Sequence, residues 1–430
     1  MNAWLQNRVS LSLALLILLF VGGIGLALLW SNPIFLPWFI LLVLALFSLG
    51  DERILFFFLG LSLVAGQLFR FSVGSLSFAL ADSAMVIAVL YYLRRYLFRL
   101  MRLSPAHLVP VRNSIFLLIL WLGASWVFSL RFFSLGDILP GLLYLLRFGG
   151  YLLLIYLLLL RQQEKDQGSF RQLIYLVLWG TVLIGFGQWF FFSDLRLLER
   201  AGWDPHLNRL VGSFLDPNLL SGFLILGISA VWSWVPTFLL VLVLVALIAS
   251  LSRSGWLTLL VFLGGVSLSL RRWGVLLLLA LFAAGAYYLP SVRERAADLI
   301  SFGPTIQARI ANMQEGWQLF QQHPFWGVGF NNLRLTREQT ESNLIGERSS
   351  ATLDNSFLLI AATSGFIGLL LYLGFLFSLL YLVFYQNRNW ALGWGIIALS
   401  CQSFFVNSLF YSPTLLLLAL GLAASNEKRT

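Results

Sequence analysis

The sequence predicts an all-α, polytopic transmembrane helical bundle of about 12–14 spans, with one large extracytoplasmic loop containing short helices. Three observations carry that expectation. Of 430 residues, 59% are hydrophobic and only 11% are charged, whereas a soluble domain is about one quarter charged. Apolar runs of roughly eighteen residues or more recur along the chain, the length a bilayer demands. Basic residues cluster between those runs, as cytoplasmic loops of membrane proteins do.

In order, the predicted spans fall near 11–30, 34–49, 54–69 and 76–93. The basic run Arg94-Arg95 to Arg102 follows and is placed in the cytoplasm,. Further spans fall near 114–130, 138–160 and 172–192, then an outer loop near 193–216. Spans near 217–232, 236–251, 256–270 and 273–289 lead to the longest polar interval, 291–354. An apolar run at 355–385 is long enough for one tilted span,. Runs near 391–408 and 412–424 finish the chain. Alternating basic loops put both termini in the cytoplasm and 291–354 outside. The run from Leu11 to Trp30 is too long for a signal-peptide core and reads as a retained span,. Three regions result: N-terminal transmembrane helices at 1–200, a core at 201–385 that includes the outer loop 291–354, and C-terminal transmembrane helices at 386–430. Within the outer loop, Ile306, Ile310, Met313, Trp317 and Phe320 recur at helical spacing and predict an amphipathic helix over 305–322,.

The net charge of +10 is a membrane-topology signal, not a nucleic-acid one. Lys165 and Lys428 are the only lysines. Arginine's planar fork suits phosphate and carboxylate, and membrane lipid is an expected contact. Cys401 is the sole cysteine, so no intramolecular disulfide forms,. Three scattered histidines make no zinc site, and no Gly-rich nucleotide loop is present,. No metal or cofactor is expected.

Six residues are candidates for chemistry. Arg147 lies in the middle of a predicted span, where a charge must find a partner; Asp82 is the counter-ion nearest in depth. Arg209 opens Arg-Leu-Val-Gly-Ser-Phe-Leu-Asp-Pro-Asn218, and Arg253 stands between two serines at a turn. Two arginines on one face can clamp a diphosphate, although Arg253 also reads as an interfacial residue. Asp354-Asn355 closes the outer loop. A carboxylate at the mouth of a low-dielectric cavity has a raised pKa and suits a general base; an aspartate before a long helix is equally an N-cap. His323 precedes a Pro and a Gly-Val-Gly turn and is either structural or catalytic.

At these residues the chain resembles the O-antigen ligase and O-antigen polymerase superfamily. Arg209-Leu-Val-Gly-Ser-Phe with Asp216-Pro-Asn218 resembles one arginine motif of that family, and Ser250-Leu-Ser-Arg253-Ser-Gly the other. Arg309, Trp317 and His323-Pro-Phe-Trp-Gly-Val-Gly329 resemble its large periplasmic loop, and Asp354-Asn355 with Gly365-Phe-Ile-Gly368 a motif that ligases begin with His-Asn. The resemblance covers about 200–375. It implies a multi-pass protein of the bacterial inner membrane. The implied activity is a metal-independent, inverting glycosyltransferase. It would move a glycan from an isoprenoid (undecaprenyl) diphosphate carrier to a sugar hydroxyl on a glycan or lipid acceptor. Arg209, Arg253 and Arg147 would bind the diphosphate, with Asp354, Asn355 and His323 as catalytic candidates. Asp354 stands where ligases carry a catalytic histidine, which favours a polymerase or another transferase of the superfamily over a ligase. The rival reading is a transporter of a small anion or a lipid-linked sugar.

Overall fold

The computed structural model describes residues 43–73, 76–101, 105–162, 168–201, 203–271, 287–300, 304–339 and 352–425, with a few single residues between 273 and 285. The predicted span at 11–30, most of those at 34–49 and 273–289, and the loop segment 340–351 lie outside the described residues. The chain divides into two compact units between Leu59 and Gly60. In the first, a helical turn ends at Leu49-Gly50 and Asp51 accepts from Arg53 N at 2.7 Å. There α1 (Glu52–Ala65) begins, and it runs on into the second unit.

The second unit is helical, with one small exception. Residues 76–79, predicted to open a span, instead form β2 (Leu76–Ala79) of an antiparallel hairpin with β1 (Arg70–Val73), pairing Arg70 with Ala79 and Phe71 with Phe78. Polar and apolar residues alternate there with period two, which suits a strand and not a helix. The helix α2 (Leu80–Met101) then continues straight through the basic run. Its start is held by Asp82 Oδ2, which accepts from Ala79 N at 2.8 Å.

Next come α3 (Val109–Phe128), α4 (Leu135–Arg161) and α5 (Gly168–Phe191). Three helices of the core follow: α6 (Pro217–Ala230), α7 (Thr237–Ala249) and α8 (Arg253–Leu270). The polar interval holds α9 (Pro290–Ile300), α10 (Pro304–Gln322) and α11 (Leu333–Gln339). The chain ends with α12 (Ser356–Tyr381), α13 (Trp390–Gln402) and α14 (Ser412–Ala424). Among the described residues, five helical stretches are long and apolar enough to cross a membrane: 106–131, 135–161, 168–191, 253–270 and 356–386. Four more, α6, α7, α13 and α14, are apolar but have only 13 or 14 residues. At about 1.5 Å per residue they reach roughly 20 Å, short of a hydrocarbon core of about 30 Å.

The apolar run at 355–385 is long enough for one span, as expected, but it is kinked. It breaks at Gly365 (φ 70°, ψ −174°), a backbone conformation essentially reserved for glycine,. The break seats the turn that follows α10. Phe366 N donates to Pro324 O at 2.7 Å, and Val328 N to Ala362 O at 3.0 Å. A Cβ on Gly365 would collide with the Phe325 carbonyl. From α3, Trp121 Nε1 donates to Ser364 O at 2.9 Å and Ser125 Oγ to Trp326 O at 2.9 Å. Trp326 itself is stacked on Trp121 (4.5 Å) and on Phe128 (5.0 Å).

The amphipathic helix predicted over 305–322 is present as α10, but its apolar stripe is not its main anchor. Gly316 and Leu319 are buried, Leu319 in a small core with Val328, Leu333, Leu353, Leu359 and Ala362. Ile310 and Trp317 are exposed. The stripe instead walls a groove of about 420 Å³ against α12, lined by Met313, Trp317, Phe320, Asn355, Phe357 and Leu358 among others. A glycine at 316 is what lets α10 approach Leu353 and Leu358.

Candidate active site

Three helix N-termini meet at one end of the core. Asp216 caps α6, accepting from Asn218 N (2.6 Å) and Leu219 N (3.1 Å). Ser252 caps α8, accepting from Gly255 N at 3.0 Å. These two ends are joined: Ser252 Oγ donates to Asn218 Oδ1 at 2.7 Å. The third is α12. Its Ser356 N donates to Ser403 O at 2.8 Å, next to Gln402, whose Nε2 donates to Asn218 O at 2.8 Å. Helix N-termini carry partial positive charge and favour anions.

Arginines add to that field. Arg209 is largely buried, and its pKa is pushed down to about 10, first by burial and then by Arg295, Arg309 and Arg253, with Asp216 opposing. Four guanidinium groups therefore act on one another across this end of the molecule. The loop segment carrying Arg209 is pinned. Gln188 Oε1 accepts from Val211 N (2.9 Å) and Gly212 N (3.1 Å), and its Nε2 donates to Arg209 O (3.3 Å). Arg209 also has a local duty: Nε donates to Ser250 O at 3.0 Å and Nη2 to Leu251 O at 3.2 Å, satisfying carbonyls at the C-terminus of α7,. Arg253 lies in the first turn of α8, two residues beyond Leu251.

Asp354 faces one of these cations, Arg309. Its Oδ2 lies 3.9 Å from Arg309 Nε, and its backbone N donates to Asn312 Oδ1 at 2.9 Å. The carboxylate is half-exposed, with 45% of the side chain accessible. Its pKa is raised, chiefly by partial burial and further by Asp216 and Asp204, while Arg309 and Arg337 pull the other way. The segment leading to it is clamped by buried Arg337, whose Nε and Nη2 reach Glu315 at 2.8 Å each and whose Nη1 donates to Thr352 O at 3.2 Å.

The N-cap of α12 is Asn355, not Asp354. Asn355 Oδ1 accepts from Phe357 N (2.9 Å) and Leu358 N (3.0 Å). Asp354 is thus not needed to start the helix.

Two of the six sequence candidates are not brought to this site. Arg147 pairs with Asp82, as its depth suggested, at 3.7 Å, and lies over the Tyr144 ring at 4.4 Å. Asp82 also accepts from Tyr151 OH at 2.9 Å. This is an α2–α4 link on the floor of a separate cleft of about 410 Å³ that also includes Phe78, Met85 and Leu143. His323 stands fourteen residues beyond Arg309; at about 1.5 Å per residue this is roughly 21 Å along the α10 direction. Its ring packs edge-on to Phe132 at 5.3 Å. Conversely, Arg295, Asp204 and His206 belong to the cluster but carried no motif, while Arg309 and Asp216 stood in the family-like motifs without being assigned a role. Among the described residues, no group of three or more His, Cys, Asp or Glu could hold a metal ion.

These features define a multi-pass membrane protein with an arginine-rich, carboxylate-bearing site at converging helix ends. Residues 238–373 match the family model described as O-antigen ligase. That match covers about a third of the chain, and the matched stretch is similar to the O-antigen ligase family. The matched stretch runs from α7 into α12 and so includes Arg253, Arg295, Arg309, His323, Asp354 and Asn355. Arg209 lies before it. No curated protein matches the chain. A transporter is not favoured by this family placement.

Proposed function

We propose that the protein is an integral-membrane glycosyltransferase. It moves a glycan from an isoprenoid (undecaprenyl) diphosphate carrier to a sugar hydroxyl on the extracytoplasmic face, as an O-antigen or exopolysaccharide polymerase or ligase would. One observation carries the reading: Arg209 shares its surroundings with Arg253, Arg295 and Arg309, and Arg309 in turn pairs with the Asp354 carboxylate at 3.9 Å, most of this in a stretch similar to the O-antigen ligase family.

In this reaction the acceptor oxygen forms a bond to the anomeric carbon as the bond from that carbon to the diphosphate oxygen breaks. The electron pair leaves with the diphosphate. Fixed arginines and helix dipoles stabilise the charge that develops there, without reorganising at the moment of reaction. The hydroxyl proton passes to Asp354, whose raised pKa makes it a better acceptor than an ordinary carboxylate,. Attack opposite the leaving group inverts the anomeric centre. Arg209 and Arg253 clamp the diphosphate together, two donors of Arg209 also being committed to backbone carbonyls. Asn355 keeps the helix end and Asp354 in register. The apolar groove beside Asn355 offers a place for the hydrocarbon of the carrier.

The test is transfer by the purified protein in proteoliposomes holding a lipid-diphosphate glycan and an acceptor glycan. Joined product together with free lipid diphosphate is the expected outcome. Passage of the intact lipid-linked glycan across the bilayer, with no product, would replace this reading by transport.

A further inference from the structure

His206 lies three residues before Arg209, in the loop between α5 and α6. That loop is a fixed clasp. Leu195 N donates to His206 O at 2.8 Å, Asn208 N donates to Ser193 O at 2.8 Å, and Asp194 bridges Leu207. The side chain it holds is only 7% exposed, and its buried Nε2 has no hydrogen-bond partner among the described residues. Buried polar atoms in folded proteins are almost always hydrogen-bonded, and those that are not ask for an explanation. Here the surroundings suggest one. The charged groups acting on the ring are Arg209 and Arg295 on one side of the balance and Asp216 and Asp204 on the other. Arg209, Arg295 and Asp216 are members of the proposed anion site.

We propose that His206 is a further substrate-binding residue of the arginine site, its Nε2–H donating a hydrogen bond to a diphosphate oxygen of the bound carrier. The inference rests on the diphosphate reading given above. Burial, most of all, and then Arg209 keep the imidazole neutral before the anion arrives. A neutral donor adds a hydrogen bond without adding a fifth like charge to the four arginines. Once the dianion is seated, its added negative charge favours the imidazolium and the ring takes up a proton from solvent. The hydrogen bond then becomes charge-assisted, the stronger kind.

The proposal is tested with inorganic pyrophosphate as the probe and the full-length protein in detergent. Binding is measured by titration calorimetry near pH 7, in two buffers that differ in ionisation enthalpy, for the parent, His206→Gln and Arg253→Lys. The protonation of pyrophosphate itself is common to all three and cancels in the differences. The parent is expected to bind with proton uptake. His206→Gln should bind about tenfold more weakly, the worth of one good hydrogen bond, with less proton uptake. Arg253→Lys should bind weakly but retain the uptake. If His206→Gln matches the parent in both affinity and uptake while Arg253→Lys is weakened, the histidine inference fails and the diphosphate site stands. If the parent does not bind pyrophosphate, both fail. His206→Asn serves as a second variant should the glutamine variant not elute as a single folded species.

Discussion

Arg209 and Arg253 carry the same charge but hold it differently. Lysine keeps the charge and loses the planar fork. At Arg253 that loss falls on the ligand, so Arg253→Lys is expected to reduce transfer tenfold or more while the amount of folded protein stays unchanged. At Arg209 the fork also spans the carbonyls of Ser250 and Leu251, so Arg209→Lys should lower both transfer and thermal stability. Normal transfer by both variants would remove the diphosphate clamp. Asp354 permits a cleaner separation, because Asn355 is the cap. Asp354→Asn should leave the melting temperature in place and cut the rate by about 10²–10⁴-fold, the usual worth of a general base. The raised pKa sets the direction of the pH profile. A base must be ionised, so parent activity is lost as pH falls through a value above the ordinary carboxylate range. Asp354→His should retain part of the rate, with its loss moved toward the imidazole range of about 6.5. An Asn variant as fast as the parent would mean that the base lies elsewhere.

At the scale of elements, the break in α12 is the joint on which the site region hangs. Gly365 lets the Pro324–Trp326 turn lie backbone to backbone against the helix, and α3 braces the contact through Trp121 and Ser125. Gly365→Ala puts a side chain in a conformation worth roughly 1–3 kcal/mol of strain, in addition to the collision with Phe325. Thermal unfolding followed by tryptophan fluorescence should show a melting point several degrees lower. An unchanged melting point would mean that the turn and the helix do not depend on each other. The contrast with α6 and α8 is instructive. Their first turns are defined by single capping residues, Asp216 and Ser252, whose identities are visible in the sequence as turn chemistry.

For the whole molecule, we propose from the alternating basic loops that both termini are cytoplasmic and α9–α11 lie outside. In a Cys401→Ser background, a cysteine at exposed Gln321 should react with an impermeant maleimide on intact cells. Reaction only after permeabilisation would invert the topology. How much of this was legible follows from what each residue needs. Membrane class needs only composition. The arginine and Asp-Asn motifs need only local order, and Arg209, Arg253 and Asp354 were visible on that basis. The cap needs single-residue precision, and the choice between Asp354 and Asn355 was settled by which carboxamide or carboxylate oxygen reaches the first turn. His323 and Asp354 looked interchangeable because sequence motifs do not show that α10 carries one away from the other. Arg295 and His206 were not singled out, and Arg309 was seen only as part of a motif, because their roles arise only when separate segments converge. The hairpin at 70–79 was hidden by its own hydrophobicity, which fits a span until its period is counted.

Leu333 and Leu353 belong to the same small core. The chain therefore leaves that cluster, runs through α11 and the residues that follow it, and returns to the place it left. Such a closed excursion is modular. Its length can change at a cost that grows only with the logarithm of the loop, while the anchors at Leu333 and Leu353, and with them Asp354, stay where they are. A lineage could change the length of the chain beyond α11 while Arg337 keeps the Thr352 segment that leads to Asp354 in place.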